Sequence, residues 1–163
     1  MTPRPSAPRP HHFWHSVTTS ASPDDIWNVW TNVSEWHLWD KGLQSASLEG
    51  SFKLGAVGKL VSLNGTTSRF TITEFNDRRS YTFSTALPFA RLNVQRFFES
   101  SSKKSSPETR FTHEVWFDGL LGGVFAILLG KNFMRLLPSV MEEVKRLAET
   151  RTNVQNAPID QTL

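Results

Sequence analysis

"SPDDIWNVWTNVSEWHLWD", Ser22 to Asp40, decides how this chain is read. Ser22 has the side chain of a helix N-cap, Pro23 suits the first helical position, and Asp24 and Asp25 favour the positive end of the helix dipole. Ile26, Val29 and Trp30 then recur at helical spacing, with Trp27 beside them. Asn32 to Trp39 reads as a second short helix, with Trp36 and Trp39 on one face at i, i+3. Four of the chain's six tryptophans fall in this stretch. Rings spaced i, i+3 on one helix form a stripe and not a ring around a point, which argues against an aromatic cage for a cation. Core packing and one wall of a ligand cavity are the readings that remain.

Working outward, "HHFWHSVTTSAS" before the helices carries Phe13, Val17 and a Thr/Ser alternation that suggests a first strand. Residues 1–11, with alternating Pro and Arg and no apolar h-region, read as a disordered arm and not as a secretory signal. After "DKG" come five or six strand-like segments. "LQSASLEGSF" and "GKLVSLNG" lead to an Asn64-Gly65 hairpin signal. "SRFTITEF", "SYTFSTA", "RLNVQRFFE" and "TRFTHEVWF" follow, separated by turns at "NDRR" and "LPFA" and by the polar run "SSSKKSSPE", a long flexible loop by composition. Gly50, Gly55 and Gly58 are candidate sources of strand curvature. The last element is a helix from about Leu120 to about Thr150. Phe125, Leu129, Phe133, Leu136, Val140, Val144 and Leu147 make its apolar stripe, and Pro138 is expected to kink it. Residues 151–163 turn polar and read as a flexible tail, leaving a single domain over 12–150.

The order is strand, two short helices, a run of antiparallel strands, and a long apolar-faced helix. Such a sheet can wrap one long helix and leave a cavity between them. In the residues "SPDDIWNVWTNVSEWHLWD", "FTITEF", "RFTHEVWFDGLLGG" and "LLGKNFMRLLPSVMEEVKRLAE", taken in that order, the chain resembles the polyketide cyclase/dehydrase branch of the START-like (SRPBCC, helix-grip) superfamily. The resemblance spans Phe13 to Glu149. It implies an α+β helix-grip fold of six to seven strands with a hydrophobic small-molecule cavity under the C-terminal helix, and it leaves the activity open, since fold does not give function. On this reading Trp27 and Trp30 pack the first helix on the sheet, while Trp36 and Trp39, in the family's W-x-x-W-D position, sit at the cavity rim.

Period-2 alternation puts Phe111, His113, Val115 and Phe117 on one face of the last strand, and Leu92, Val94, Arg96 and Phe98 on one face of the strand before it. Pairing across the turns sets Arg96 opposite His113 and Tyr81, and Tyr81 opposite Glu74, which shares a face with Phe70 and Ile72. A polar row Glu74–Tyr81–Arg96–His113 then crosses the inner face, and a one-residue slip at any hairpin destroys it. Asn132 joins it from the helix stripe. The polar row and Asn132, together with Trp36, Trp39, Phe70, Ile72, Phe83, Val94, Phe111, Val115, Phe125, Leu129, Phe133 and Leu136, are the expected ligand contacts. His113 is the candidate general acid/base, with Arg96 or Tyr81 steadying an enolate or phenolate oxygen. The bland alternative is an Arg96–Glu74 ion pair and a satisfied core histidine. Asp40 reads as a turn residue closing the second helix.

Composition narrows the classes further. At 163 residues, 38% apolar and 12% aromatic, the chain can bury a real core. It has no cysteine, which excludes disulfides and thiol chemistry and fits a cytoplasmic protein. A net charge of +3 with no basic stripe argues against nucleic acid. His11, His12 and His15 lie in or beside the arm with no carboxylate partner near in sequence, so no metal is expected, and no phosphate loop or catalytic signature calls for a cofactor. "GLLGGVFAILLG" is too short a run to span a bilayer, yet it is apolar nearly all round. It is expected to act as a cavity lid and dimer contact, with transient membrane docking through Lys131 and Arg135 as the alternative; a monomer or homodimer fits. The partner expected is a hydrophobic small molecule. Whether the chain catalyses a cofactor-independent cyclase/dehydratase reaction or only carries or senses a ligand stays open at this level.

Overall fold

The computed structural model describes residues 11–99 and 108–155. The arm before residue 11, most of the "SSSKKSSPE" loop and the end of the tail therefore lie outside the described residues. Strand β1 (His12–Thr19) is followed by helix α1 (Pro23–Thr31), a 3₁₀ turn (Val33–Glu35) and the one-turn helix α2 (Trp36–Trp39). Strands β2 (Leu43–Leu48), β3 (Val57–Ser62), β4 (Thr67–Asn76), β5 (Ser80–Leu87), β6 (Ala90–Phe98) and β7 (Thr109–Asp118) precede the long helix α3 (Gly122–Gln155). The strands form one antiparallel sheet in the order β1-β7-β6-β5-β4-β3-β2. Because β1 and β2 hold opposite edges, α1 and α2 must cross the sheet between them, and they close one part of its concave face.

Local chemistry explains the elements. Ser22 Oγ accepts the Asp25 backbone N–H at 3.1 Å, the N-cap bond expected from the sequence. Gly65 takes a φ of 82° in the β3–β4 turn, and Asn64 Oδ1 accepts the Thr66 N–H at 3.0 Å. Gly58 is paired with Phe70 across β3 and β4, and the Phe70 ring lies directly over it. That ring fills the space a side chain would occupy, and it stacks on Trp36 at 5.3 Å. Trp27, Trp30, Trp36 and Trp39 are all buried.

Two expectations need correction. Alternation along β4 puts Glu74 on the inner face, but a bulge between Ile72 and Glu74 shifts the register. Glu74 instead faces outward, where its Oε2 accepts from Thr82 Oγ1 at 2.7 Å, and Phe75 takes the inner position beside Tyr81. There is accordingly no Arg96–Glu74 ion pair.

The second correction concerns α3. Its buried line in the first half is Gly122, Ala126 and Gly130, followed by Leu137, Met141, Val144 and Ala148. Leu129 is 36% exposed and Phe125 only half-buried. Small residues win this face because they let the helix axis approach the sheet; a Cβ at Gly130 would sit 2.2 Å from the Phe13 ring. The helix also continues to Gln155, past the expected end near Thr150. Glu149 ties it to the start of the chain, accepting from Thr19 Oγ1 at 2.7 Å.

Candidate functional site

The bottom of the concavity is a row of inner-facing residues set by strand register. Tyr81 pairs with Arg96, Arg96 with His113, and His113 with His15 of β1. The row expected from the turns is therefore present for three of its four members and gains His15 at the β1 end. His12, three residues earlier, lies on the opposite face of β1 from His15. Among the described residues no group of three His, Asp or Glu could hold a metal.

Arg96 is 3% exposed, and its guanidinium carbon lies 4.7 Å from the Trp36 ring and 4.7 Å from the Trp39 ring. Phe83 at 5.3 Å and Tyr81 at 5.4 Å complete the enclosure. The helix spacing of Trp36 and Trp39 gives only a stripe, as the sequence implies. Two further rings from β5 turn that stripe into a cage, and its occupant is the protein's own cation. The Trp30 carbonyl, at the C-terminal end of α1, fixes two of the walls: it accepts from Trp36 Nε1 at 2.9 Å and from Tyr81 Oη at 3.2 Å. Tyr81 Oη in turn accepts from Arg96 Nη1.

Burying an ion costs several kcal/mol even after relaxation. A desolvated cation–π contact returns about 2 kcal/mol, so the cage offsets much of that cost without neutralising the charge. Among the described residues Arg96 makes no ion pair with a carboxylate, and its Nε has no hydrogen-bond partner. His113, 1% exposed, leaves Nε2 without a partner as well. Burial first, then the Arg96 and His15 charges, hold the His113 imidazole neutral well below its ordinary range. Burial pushes the Tyr81 hydroxyl up, against the opposing pull of Arg96.

Above this row lie two adjoining cavities. The inner one, about 70 Å³, is lined by Arg96, His113, Val115, Leu137 and Val140. The larger one, about 260 Å³, is lined by Trp36, Leu43, Leu60, Thr85, Leu92 and Asn132 among others. Asp40, Phe83, Val94, Phe133 and Leu136 wall both. Asn132 is exposed and accepts from Arg135 at 3.3 Å, so it marks the solvent end, while Arg96 and His113 form the floor.

Of the expected ligand contacts, Trp36, Phe83, Val94, Arg96, His113, Val115, Asn132, Phe133 and Leu136 line these spaces. Trp39 and Tyr81 stand behind them as cage walls, and Phe70, Ile72 and Phe111 are core behind the cage. Glu74, Phe125 and Leu129 line neither cavity. Asp40 is the residue that sequence reasoning undervalued. Its Oδ1 accepts the Gly42 N–H at 3.0 Å, as a turn residue would, yet it also faces both cavities. Burial raises its carboxyl above the ordinary range, opposed by the Gly42 bond and the Arg96 charge. Thr85, whose Oγ1 is buried without a partner, could have been found from its alternation with Tyr81 and Phe83.

The rest of α3 carries no part of the cavity. Ile127 and Leu128 are exposed at 74% and 68%, and Leu120 just before the helix at 87%, all away from the space that they were expected to cover. The helix as a whole, Gly122–Val154, is long and apolar enough to cross a membrane by length and composition, although the apolar run within it is not. One of its faces is already committed to β1, β7 and α1.

A family model described as "Polyketide cyclase / dehydrase and lipid transport" matches residues 10–149. The chain belongs to this family. Solved structures share its fold. A protein from Nitrosomonas europaea superposes with a TM-score of 0.69 at 11% identity, over 90% of this chain and 99% of that one. XoxI from Bacillus cereus gives 0.63 at 18% identity, again over 90% and 99%. Truncated norcoclaurine synthase from Thalictrum flavum gives 0.61 at 10% identity, over 83% and 91%. At these identities the likeness shows the helix-grip fold alone. A comparison with curated proteins by sequence finds no match.

Proposed function

We propose that this helix-grip domain binds a hydrophobic or aromatic small molecule between the sheet and α3. The observation that carries the reading is the cavity itself: about 260 Å³, walled largely by Trp36, Phe83, Leu92, Val94, Phe133 and Leu136, with Asp40 and Thr85 among its polar groups and Arg96 and His113 lining the smaller cavity that adjoins it. Ligand sites combine an apolar lining with a small number of convergent polar groups in this way. The matched family, whose description includes both cyclisation and lipid transport, supports it. The test is titration of the full chain with a neutral aromatic such as 2-acetylnaphthalene, read by tryptophan fluorescence, against Leu136→Trp. Saturable binding that the added indole abolishes, with unfolding unchanged, is the expected result. No binding by the parent chain, or binding indifferent to Leu136→Trp, would overturn the reading.

Catalysis of a cyclase/dehydrase type is the second reading, and the meeting of Asp40, Arg96 and His113 favours it. A neutral imidazole can take a proton from an activated methylene, a guanidinium can hold the enolate oxygen that results, and a protonated carboxyl can donate to a departing hydroxyl. Turnover of a linear poly-β-ketone by the parent chain and its loss in His113→Ala would support this reading. Equal rates would remove it.

A further inference from the structure

The caged arginine specifies more than a greasy ligand. We propose that the molecule bound in this cavity is an amphiphile whose polar end is a carboxylate, seated against Arg96 with its hydrocarbon part directed toward Asn132; this rests on the cavity being a ligand site.

Guanidinium groups keep their charge in folded proteins, and this one lies at the floor of an otherwise apolar cavity. Among the described residues no carboxylate lies within ion-pair distance of it. Its rings supply quadrupoles and one neutral acceptor, the Tyr81 hydroxyl, but no negative charge, and Nε is left without an acceptor. The neighbouring polar groups leave room for a ligand as well. His113 Nε2 lacks a partner, and the Tyr81 hydroxyl is already engaged with Trp30 and Arg96. An anion fits such a floor and a cation does not. A carboxylate fits best because its two oxygens match the planar donors of a guanidinium.

Asp40 is the other candidate for the counter-charge. It stands on the shared wall of both cavities, close enough to feel Arg96 but not paired with it. Burial favours its protonated form. A carboxyl in that form donates a hydrogen bond to an incoming carboxylate, since two acids in one dry site share a proton. Asp40 Oδ1 is already held by the Gly42 N–H, and the carboxyl makes no ion pair with Arg96, so it lines the site without filling the place against the guanidinium.

The experiment uses the full chain and three matched straight-chain series from hexanoate to dodecanoate, the corresponding alcohols and the corresponding trimethylammonium salts, titrated by calorimetry near neutral pH. The carboxylates are expected to bind at least about tenfold tighter than their alcohols, which is about 1.4 kcal/mol, and the ammonium salts weakest of all. Arg96→Met should erase the preference while alcohol binding persists, and Arg96→Lys should retain part of it. Should Arg96→Met fail to fold, the three series on the parent chain decide the matter alone. Alcohols binding as tightly as carboxylates would overturn the carboxylate assignment and leave the cavity reading standing. No binding by any series would bring down both. A preference appearing only in Asp40→Asn would make Asp40 the resident counter-ion and would also overturn the proposal.

Discussion

Gly58→Ala is the perturbation that most directly tests how the cage is built. A Cβ at Gly58 would lie 2.2 and 2.3 Å from two carbons of the Phe70 ring and 2.5 Å from the Ser47 carbonyl oxygen. Carbon atoms in contact normally stand about 3.5 Å apart or more, so the ring would have to retreat by about 1.3 Å. Phe70 is 1% exposed, with Trp36 stacked behind it, so it has nowhere to go without moving the cage wall. The Ser47 oxygen belongs to backbone paired in the sheet and yields even less. Overpacking of this kind costs about 1–3 kcal/mol, and the backbone clash argues for the upper half of that range. The smaller entropy of an unfolded alanine chain returns under about 1 kcal/mol. The net expectation is a loss of about 2 kcal/mol, or roughly 4–8 °C in Tm for a domain of this size. Thermal unfolding followed by circular dichroism would measure it, with the near-ultraviolet signal reporting the displaced Trp36. Gly50→Ala is the control: its φ of 77° brings backbone strain but nothing lies within 4 Å of its Cβ, so the near-ultraviolet signal should not change. A Gly58→Ala protein melting within about 2 °C of the parent, with its aromatic signal intact, would show that Phe70 does not brace Trp36.

Three further outcomes follow from the same geometry. Because His113 is held neutral in the fold but protonates normally near 6.5 when unfolded, the unfolded chain binds more protons below that value, and stability falls as pH drops through it. The slope approaches about 1.4 kcal/mol per pH unit, and His113→Gln should flatten it in urea titrations; Asp40, shifted upward, acts in the opposite sense and is common to both proteins. Glu149→Gln should cost about 1–2 kcal/mol, because the carboxylate accepts from Thr19 Oγ1, Ser20 Oγ and the Ser20 N–H. Those bonds pull its pKa down, so the parent's advantage should disappear as pH falls through that depressed value, and an advantage persisting in strong acid would refute the assignment. Ile127→Glu and Leu128→Glu should each change unfolding free energy by no more than about 0.5 kcal/mol and leave ligand affinity unchanged; a loss of affinity would restore these residues to the cavity lid.

The sequence by itself determined the element order, the turns and the helix start, because each rests on local chemistry: Ser22 caps α1, Asn64-Gly65 turns β3 into β4, and hairpin positions put Tyr81, Arg96 and His113 in one row. These hairpins keep their register from the turn inward, so alternation could be carried from strand to strand. It failed at Glu74 because a bulge is a mismatch of ladder bonds with no residue type that announces it. Apolar periodicity also misjudged the first half of α3, where hydrophobic residues occur almost all round. There the closer approach allowed by Ala126 and Gly130 chose the face, and Leu129 was turned toward water. Asp40 looked like a turn residue and is one; only the arrival of β6 and α3 makes it a cavity wall. The cage around Arg96 was beyond any linear reading, since its walls come from two segments more than forty positions apart in the chain. Spacing along one helix can state which rings share a face, but what that face encloses is decided by the strands that the tertiary fold brings against it.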